Sequence, residues 1–392
     1  MNLEFSEEQQ MLMDSARGFL EKACPLDKIR EWESLPEGYP SHMWPKIVEQ
    51  GWTGIVYPEE YGGLDLPNID ATLLMREMGR VALSTPFLST ILLSGRAVLE
   101  GGSDEQKKDV LPAIVSGERL LSFAFSEANA RPNAATVKTT ARAEDGGYVL
   151  NGSKHFVEFA EQADQILIVA RTSDCEDPEQ GLTMFLVDAN TPGIQYKTLR
   201  VMALQPQAKV ILDNVRIEAD SVVGEVDQAW SVLNPVIQAA TAILCGYMTG
   251  IAERALDMAI NYSKERVQYE QPIGAFQAIQ NYLATAWTKT TMGEYMAYYA
   301  AWLIDNDMPS REAVATAKAF VGYASVEATQ LATQLHGGMG ATVDARTTPF
   351  LKWAKQLQHT LGNSTYHETV VAEEILDKDP LGLDVKYSVA LT

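Results

Sequence analysis

At 392 residues the chain is long enough for two or three domains with substantial cores, and 46% apolar with 21% charged residues describes a folded protein rather than a disordered one. A net charge of −21 argues against nucleic-acid binding, because a phosphate-tracking surface needs clustered cations and no run of Lys or Arg is present. Cys24, Cys175 and Cys245 are scattered without a CxxC and the five histidines lack ligand spacing, so neither disulfides nor a metal is expected.

The opening MNLEFSEEQQMLMDSARGFLEKA has no basic start ahead of an apolar run and reads as an amphipathic helix, not a signal peptide. Ser6 and Gln9 have capping-box spacing, Glu7 and Glu8 suit the first turn, and Gly51 and Gly117 suit helix stops. Further helical stretches follow around the Pro- and Gly-containing loop YPEEYGGLDLP, giving an all-helical domain over 1–118.

From 119 to 228 the texture changes to short aromatic and β-branched runs, among them LLSFAFSE, YVLNGSKHFV, DQILIVART and AKVILDNVRI. Asp145-Gly146-Gly147 and Asn151-Gly152 supply turn signals, which predicts an antiparallel sandwich or barrel. Long helical periods return over 229–380 and predict a four-helix bundle, with 381–392 as a tail. The class is α+β. No apolar stretch is read as approaching the roughly 20 residues that span a bilayer, so a soluble, cytoplasmic chain is expected.

Two segments of the bundle region carry chemistry. RVQYEQPIGAFQ (266–277) and QLHGGMG (334–340) offer a permanent cation in Arg266, carboxamides in Gln268, Gln277 and Gln334, and a Gly337-Gly338 pair that lets backbone N–H groups come close to phosphate. Together with FSEEQQMLMDSARGFL, GWTGIVYPEEYGGLDLP, YVLNGSKHFV and LDNVRI followed by VVGE, all in order, they make the chain resemble the acyl-CoA dehydrogenase family along nearly its whole length.

The resemblance implies that family's fold, FAD as cofactor, an acyl-CoA substrate and an electron-transferring flavoprotein as acceptor. By position, Arg266, Gln268, Tyr269, Phe276 and Gln277 match residues holding the FAD diphosphate and adenine of a neighbouring subunit, and Gln334, Gly337 and Gly338 match the other half of that grip. Phe125, Ser126, Phe156 and Val157 match ring-contacting positions, and Asn363 matches a cofactor-contacting Thr. Two departures bear on the ring pocket: Pro132 stands for a coenzyme-A-contacting Ser, and Glu158 replaces a Thr that bonds flavin N5, where a negative charge would oppose that of a reduced flavin.

The family removes the substrate α-proton with a Glu. Here its usual position holds Leu361 and the second known position, on the helix containing Gly250, holds Ala240. Glu158, Asp344, Glu368, Glu373, His359 and His367 are the remaining candidates, and none stands in either place. Both base positions empty beside an intact grip resemble the small subunit of heteromeric α2β2 acyl-CoA dehydrogenases, in which this chain would join a second family subunit in a tetramer. The alternatives are a self-sufficient homotetramer with a relocated base and a non-catalytic structural member.

Overall fold

The computed structural model describes residues 5–377 apart from 34, 36, 130, 204 and 343, with positions 30 and 33 described by backbone alone. The expected tail, 381–392, lies outside the described residues.

Helices come first: α1 (Glu7–Ala23), α2 (Leu26–Glu33), α3 (Met43–Glu49), α4 (Asn68–Arg80), a π-helical stretch Phe87–Gly95, α5 (Arg96–Gly101) and α6 (Asp104–Val115). Ser6 and Gln9 form the expected capping box at α1, and Ser103 with Gln106 forms a second at α6. Gly51 and Gly117 stop α3 and α6 at φ of 74° and 75°, a left-handed conformation that glycine adopts without strain.

Strands follow: β1 (Leu121–Ala124), β2 (Thr140–Glu144), β3 (Gly147–Glu158), β4 (Gln165–Arg171), β5 (Leu182–Asp188), β6 (Ile194–Leu199), β7 (Gln207–Glu218) and β8 (Val222–Val223). They run β6-β7-β3-β2-β4-β5-β8, with β1 added beside β4. The expectation of an antiparallel domain is corrected in one respect. β1 pairs parallel to β4, and so does the single contact of Thr140 with Arg171 that joins β2 to β4. The β2–β3 hairpin lies between β1 and β4 in sequence, and this long connection lets β4 return in the same direction as β1.

The chain then returns to helix in α7 (Ala229–Glu265), α8 (Gln277–Asp305), α9 (Arg311–Leu335), α10 (Thr348–Leu357) and α11 (Ser364–Ala372), with the hairpin β9 (Val267–Gln268) and β10 (Gln271–Pro272) between α7 and α8. α7 contains an 18-residue window of mean hydropathy 1.4, against the reading that no stretch approaches membrane-spanning length, but 89% of that window is buried in the fold. Its apolarity belongs to a protein core.

Packing divides the chain into two units that cut across its order. The first gathers the described residues of Met1–Arg30, Asn68–Leu83 and Thr241–Thr392. In it α4 and α7 touch through glycine: a Cβ added at Gly79 or Gly250 would stand 2.0 Å from a carbonyl oxygen of the other helix, Tyr247 O or Arg76 O. Beside this seam partly buried Arg76 and buried Arg80 lie among Glu77, Glu253, Glu294 and Asp257, each cation meeting more than one carboxylate.

The second unit, Glu31–Pro67 with Ser84–Ala240, holds the sheet. Its core collects inward residues such as Leu150, Val157, Ile166, Ile168, Phe185 and Val210. The π-helical stretch is tied to β1 through Thr90, whose hydroxyl donates to Leu121 O at 2.7 Å and accepts from Leu121 N at 3.1 Å.

Candidate functional site

The grip residues lie in the first unit. Arg266 directly follows α7, and its carbonyl accepts from Ile273 N at 2.8 Å, closing the base of the β9–β10 hairpin. The two turn residues, Tyr269 and Glu270, have φ of 51° and 67°. A two-residue hairpin of this hand needs positive φ twice, which Asn and Gly supply easily and Tyr and Glu do not. Strain of that kind is held where a side chain must be presented, and Tyr269 is 88% exposed. Phe276 meets its ring edge-on at 6.2 Å.

Arg266, Gln268, Gln277, Gln334, Gly337 and Gly338 are all exposed. Arg266 forms no side-chain ion pair or hydrogen bond among the described residues, whereas the Gln268 amide bends back to Val267 O at 2.7 Å. Gly337 has φ of 60° just past the end of α9, so a helix stop accounts for it. Gly338 has no such positive φ, and a Cβ at either glycine would meet nothing within 4 Å. Their bare backbone faces open space, a surface that fits a phosphate approaching main-chain N–H groups.

The ring-contacting positions lie in the second unit, on β1, β3 and the turn after β1. In β3, Lys154 pairs with Val210 and Val157 with Ala208, so one extra residue is inserted between them. This bulge keeps Lys154 and Val157 on the core side and turns Glu158 to the other face. Phe156, inside the bulge, has φ of 55° and is 49% exposed. An aromatic ring left uncovered on a strained backbone is a platform for a planar ligand. Phe125 is buried instead, stacked between Phe123 and Trp230 at 5.9 and 6.0 Å. Ser126 contributes its carbonyl, which accepts from His155 N at 2.8 Å.

Beneath this face Lys154 is fully buried, its Nζ donating to Glu127 Oε1 at 2.8 Å and Phe125 O at 3.2 Å. Glu127 also accepts from Lys138 N, Thr139 N and the Thr139 hydroxyl at 3.0, 2.9 and 2.8 Å. Burial opposes ionisation of Glu127, but the Lys154 charge and these donors prevail and hold its carboxyl below the usual range. Burial lowers the Lys154 ammonium to about 8 against the pull of Glu127. The pair fastens the turn carrying Ser126 to the strand carrying Phe156.

Glu158 requires a correction. It is 9% exposed, and burial pushes its carboxyl up to about 7, against a hydrogen bond with Gln205 that works the other way. Near neutral pH the neutral carboxyl is therefore accessible, and the charge read from the sequence is not a fixed one. Its cross-strand partner is Gln207. Gln205 and Gln207 were not singled out in the sequence; they fall at the entry to β7, and only pairing with β3 brings them to Glu158.

The two positions read as base sites hold Ala240 and Leu361. Ala240 is fully buried. Leu361, at φ of 54°, gives its carbonyl to His367 Nε2 at 2.9 Å. Burial and the nearby Lys318 charge lower His367 to about 4, which makes it a structural hydrogen-bonding group. Lys318 is itself buried, its Nζ donating to Leu357 O, Gln358 O and Gly362 O at 3.1, 3.3 and 2.9 Å, and so it holds the turn from below. Asn363 caps α11, its Oδ1 accepting from Tyr366 N at 2.8 Å. Glu373 is paired with Arg311 at 3.0 Å, while Glu368 and Asp344 are exposed. Among the described residues no group of three or more His, Cys, Asp or Glu could hold a metal.

Family models match the chain in three consecutive parts: acyl-CoA dehydrogenase, N-terminal domain over 6–118, middle domain over 122–215 and C-terminal domain over 230–376. The chain is 30% identical over 377 residues to the 3-(aryl)acrylate reductase of Clostridium sporogenes, covering 95% of this chain and 99% of that one. A chain solved in work on the electron transferring flavoprotein of Acidaminococcus fermentans superposes with a TM-score of 0.89 at 29% identity, covering 95% and 99%. One from the ChsE4–ChsE5 complex of Mycobacterium tuberculosis does so at 0.86 and 26%, covering 95% and 98%.

Proposed function

The chain belongs to the acyl-CoA dehydrogenase family, oxidoreductases of CH–CH bonds with FAD as cofactor, and from that premise we propose that it is the base-less subunit of a heteromeric member. Its substrate is an acyl-CoA thioester, its acceptor an electron-transferring flavoprotein, and its place the cytoplasm. The observation that carries this reading is that Leu361 and Ala240 cannot accept a proton, in a chain whose Arg266 is exposed and has no side-chain partner among the described residues.

FAD, when bound, takes up the hydride equivalent that leaves the β-carbon. The chain's own residues then have separable tasks. Arg266 supplies the cation that neutralises a diphosphate, and Gln268, Gln277 and Gln334 supply carboxamides. Gly337 and Gly338 leave main-chain N–H groups accessible. Tyr269 and Phe276 present aromatic surface, and Phe156 with the turn at Ser126 offers the face for a ring, while Phe125 and Val157, both buried, support it from the core side. Removal of the α-proton requires a carboxylate on the opposite side of the substrate, which a second subunit contributes. Likeness to a chain of the ChsE4–ChsE5 complex supports a heteromer.

Purified alone, the chain should oxidise acyl-CoA thioesters only marginally, and co-purification with a family member bearing the missing Glu should restore turnover by several powers of ten. Full activity of the isolated chain would reject the reading.

A further inference from the structure

The two blocks of the grip stand at the ends of different helices, 266–277 just after α7 and 334–340 at the end of α9. Helix ends fray, so a diphosphate that must meet both blocks needs something to hold their spacing. One side-chain contact joins them. Tyr262, in the last turn of α7, stacks on His336 with ring centroids 4.3 Å apart and an interplanar angle of 22°. Tyr262 O accepts from Arg266 N at 2.8 Å, so this ring is carried one helical turn before the cation. His336 directly precedes Gly337 and Gly338. Its Nδ1 lies 2.7 Å from Ala332 O, and because a carbonyl only accepts, Nδ1 carries the hydrogen and the ring orientation is set. The loop beyond folds back on it: a Cβ added at Gly340 would stand 3.0 Å from His336 Cβ. Tyr262 and His336 are partly buried, whereas Arg266, Gly337 and Gly338 are exposed.

We propose that the Tyr262–His336 stack is the positioning device of the grip: it fixes the spacing between Arg266 and the main-chain N–H groups of Gly337 and Gly338, so that cation and N–H groups reach one nucleoside diphosphate together. The inference rests on the reading that the two blocks hold a diphosphate, and it adds two residues that act through others. Neither ring has to touch the ligand. Each holds one helix end, and the affinity gained is that of a site already spaced before the ligand arrives. The contribution of the stack therefore depends on Arg266: with the cation removed, holding its helix end in place gains little. A purely structural contact would instead cost the same whether or not Arg266 is present.

The test is a double-variant cycle read by isothermal titration of ADP into the full chain, with melting curves to show that each variant folds. Tyr262→Leu, which removes the ring at similar volume, should weaken ADP binding about tenfold, and His336→Leu should do the same. Tyr262→Phe keeps the stack and should restore affinity to within about threefold of the unmodified chain. In the Arg266→Ala background, Tyr262→Leu should cost less than about threefold. Unchanged ADP affinity in folded Tyr262→Leu, a tenfold loss in Tyr262→Phe, or a tenfold loss on adding Tyr262→Leu to Arg266→Ala would each overturn the coupling while leaving the grip standing. No ADP binding by the unmodified chain would overturn the grip itself and the coupling with it. The probe carries no flavin ring and requires no turnover, so these outcomes are separate from the partner reading, which activity tests.

Discussion

Replacing Lys154 by Met removes one partner of a buried ion pair while preserving the length of the side chain. Lys154 is fully buried and Glu127 nearly so, 2.8 Å apart, and Glu127 would keep its three donors from Lys138 and Thr139 while losing the cation paired with it among the described residues. Stranding a buried charge in this way costs about 3–5 kcal/mol, or on the order of 10 °C in Tm for a unit of this size. The sign of the pH dependence follows from Glu127: its folded-state value is lowered, so its stabilising contribution is present above the ordinary carboxylate range and is lost as pH falls through the folded value. Lys154 loses its proton near 8. The gap between variant and wild type should therefore be open from about pH 5 upward, without narrowing where Lys154, whose folded-state value is lowered, gives up its proton, and should close in acid. Urea unfolding followed by tryptophan fluorescence measures it, with Glu127→Gln and the double variant completing a cycle. A loss under about 1 kcal/mol at pH 7, or a gap as large at pH 3, would refute this account of the pair.

Other outcomes follow from the same geometry. Glu158 has a raised folded-state value, so its ionisation costs stability above its unfolded value. Glu158→Gln should exceed wild type by up to about 3 kcal/mol at pH 8 and match it at pH 4 in thermal or urea unfolding. Two neighbouring glycines should separate packing from binding. A Cβ at Gly340 would lie 2.1 Å from Thr333 O, so Gly340→Ala should lose about 1–3 kcal/mol, whereas Gly338→Ala should fold normally and weaken FAD binding in isothermal titration. Arg266→Ala should leave Tm unchanged, because the side chain has no partner among the described residues, and should cost FAD affinity about tenfold or more.

Local physics made much of this protein legible from its sequence. The Ser6–Gln9 box, the glycine stops at 51 and 117, and the order helix, strand, helix each depend on residues close together in the chain, and each is present in the fold. The motif blocks at 266–277 and 334–340 helped to carry the resemblance to the family, and the residues at 361 and 240, Leu and Ala, are read by position alone. Pattern reading failed where neighbours in space are distant in sequence. β1 alongside β4, the apolar window of α7 as core, and the Arg76–Arg80 cluster all depend on long-range packing.

Glu158 shows the division most clearly. The sequence determined that a carboxyl stands two residues after Phe156, and by charge counting it could only be a carboxylate. The tertiary structure decided otherwise: a one-residue bulge turns it away from the sheet core, β7 brings Gln207 opposite, and the loop before β7 adds Gln205. Ionisation depends on the surrounding dielectric and on partners, both properties of three-dimensional packing, so the same residue that reads as a fixed charge in the chain titrates near neutrality in the fold.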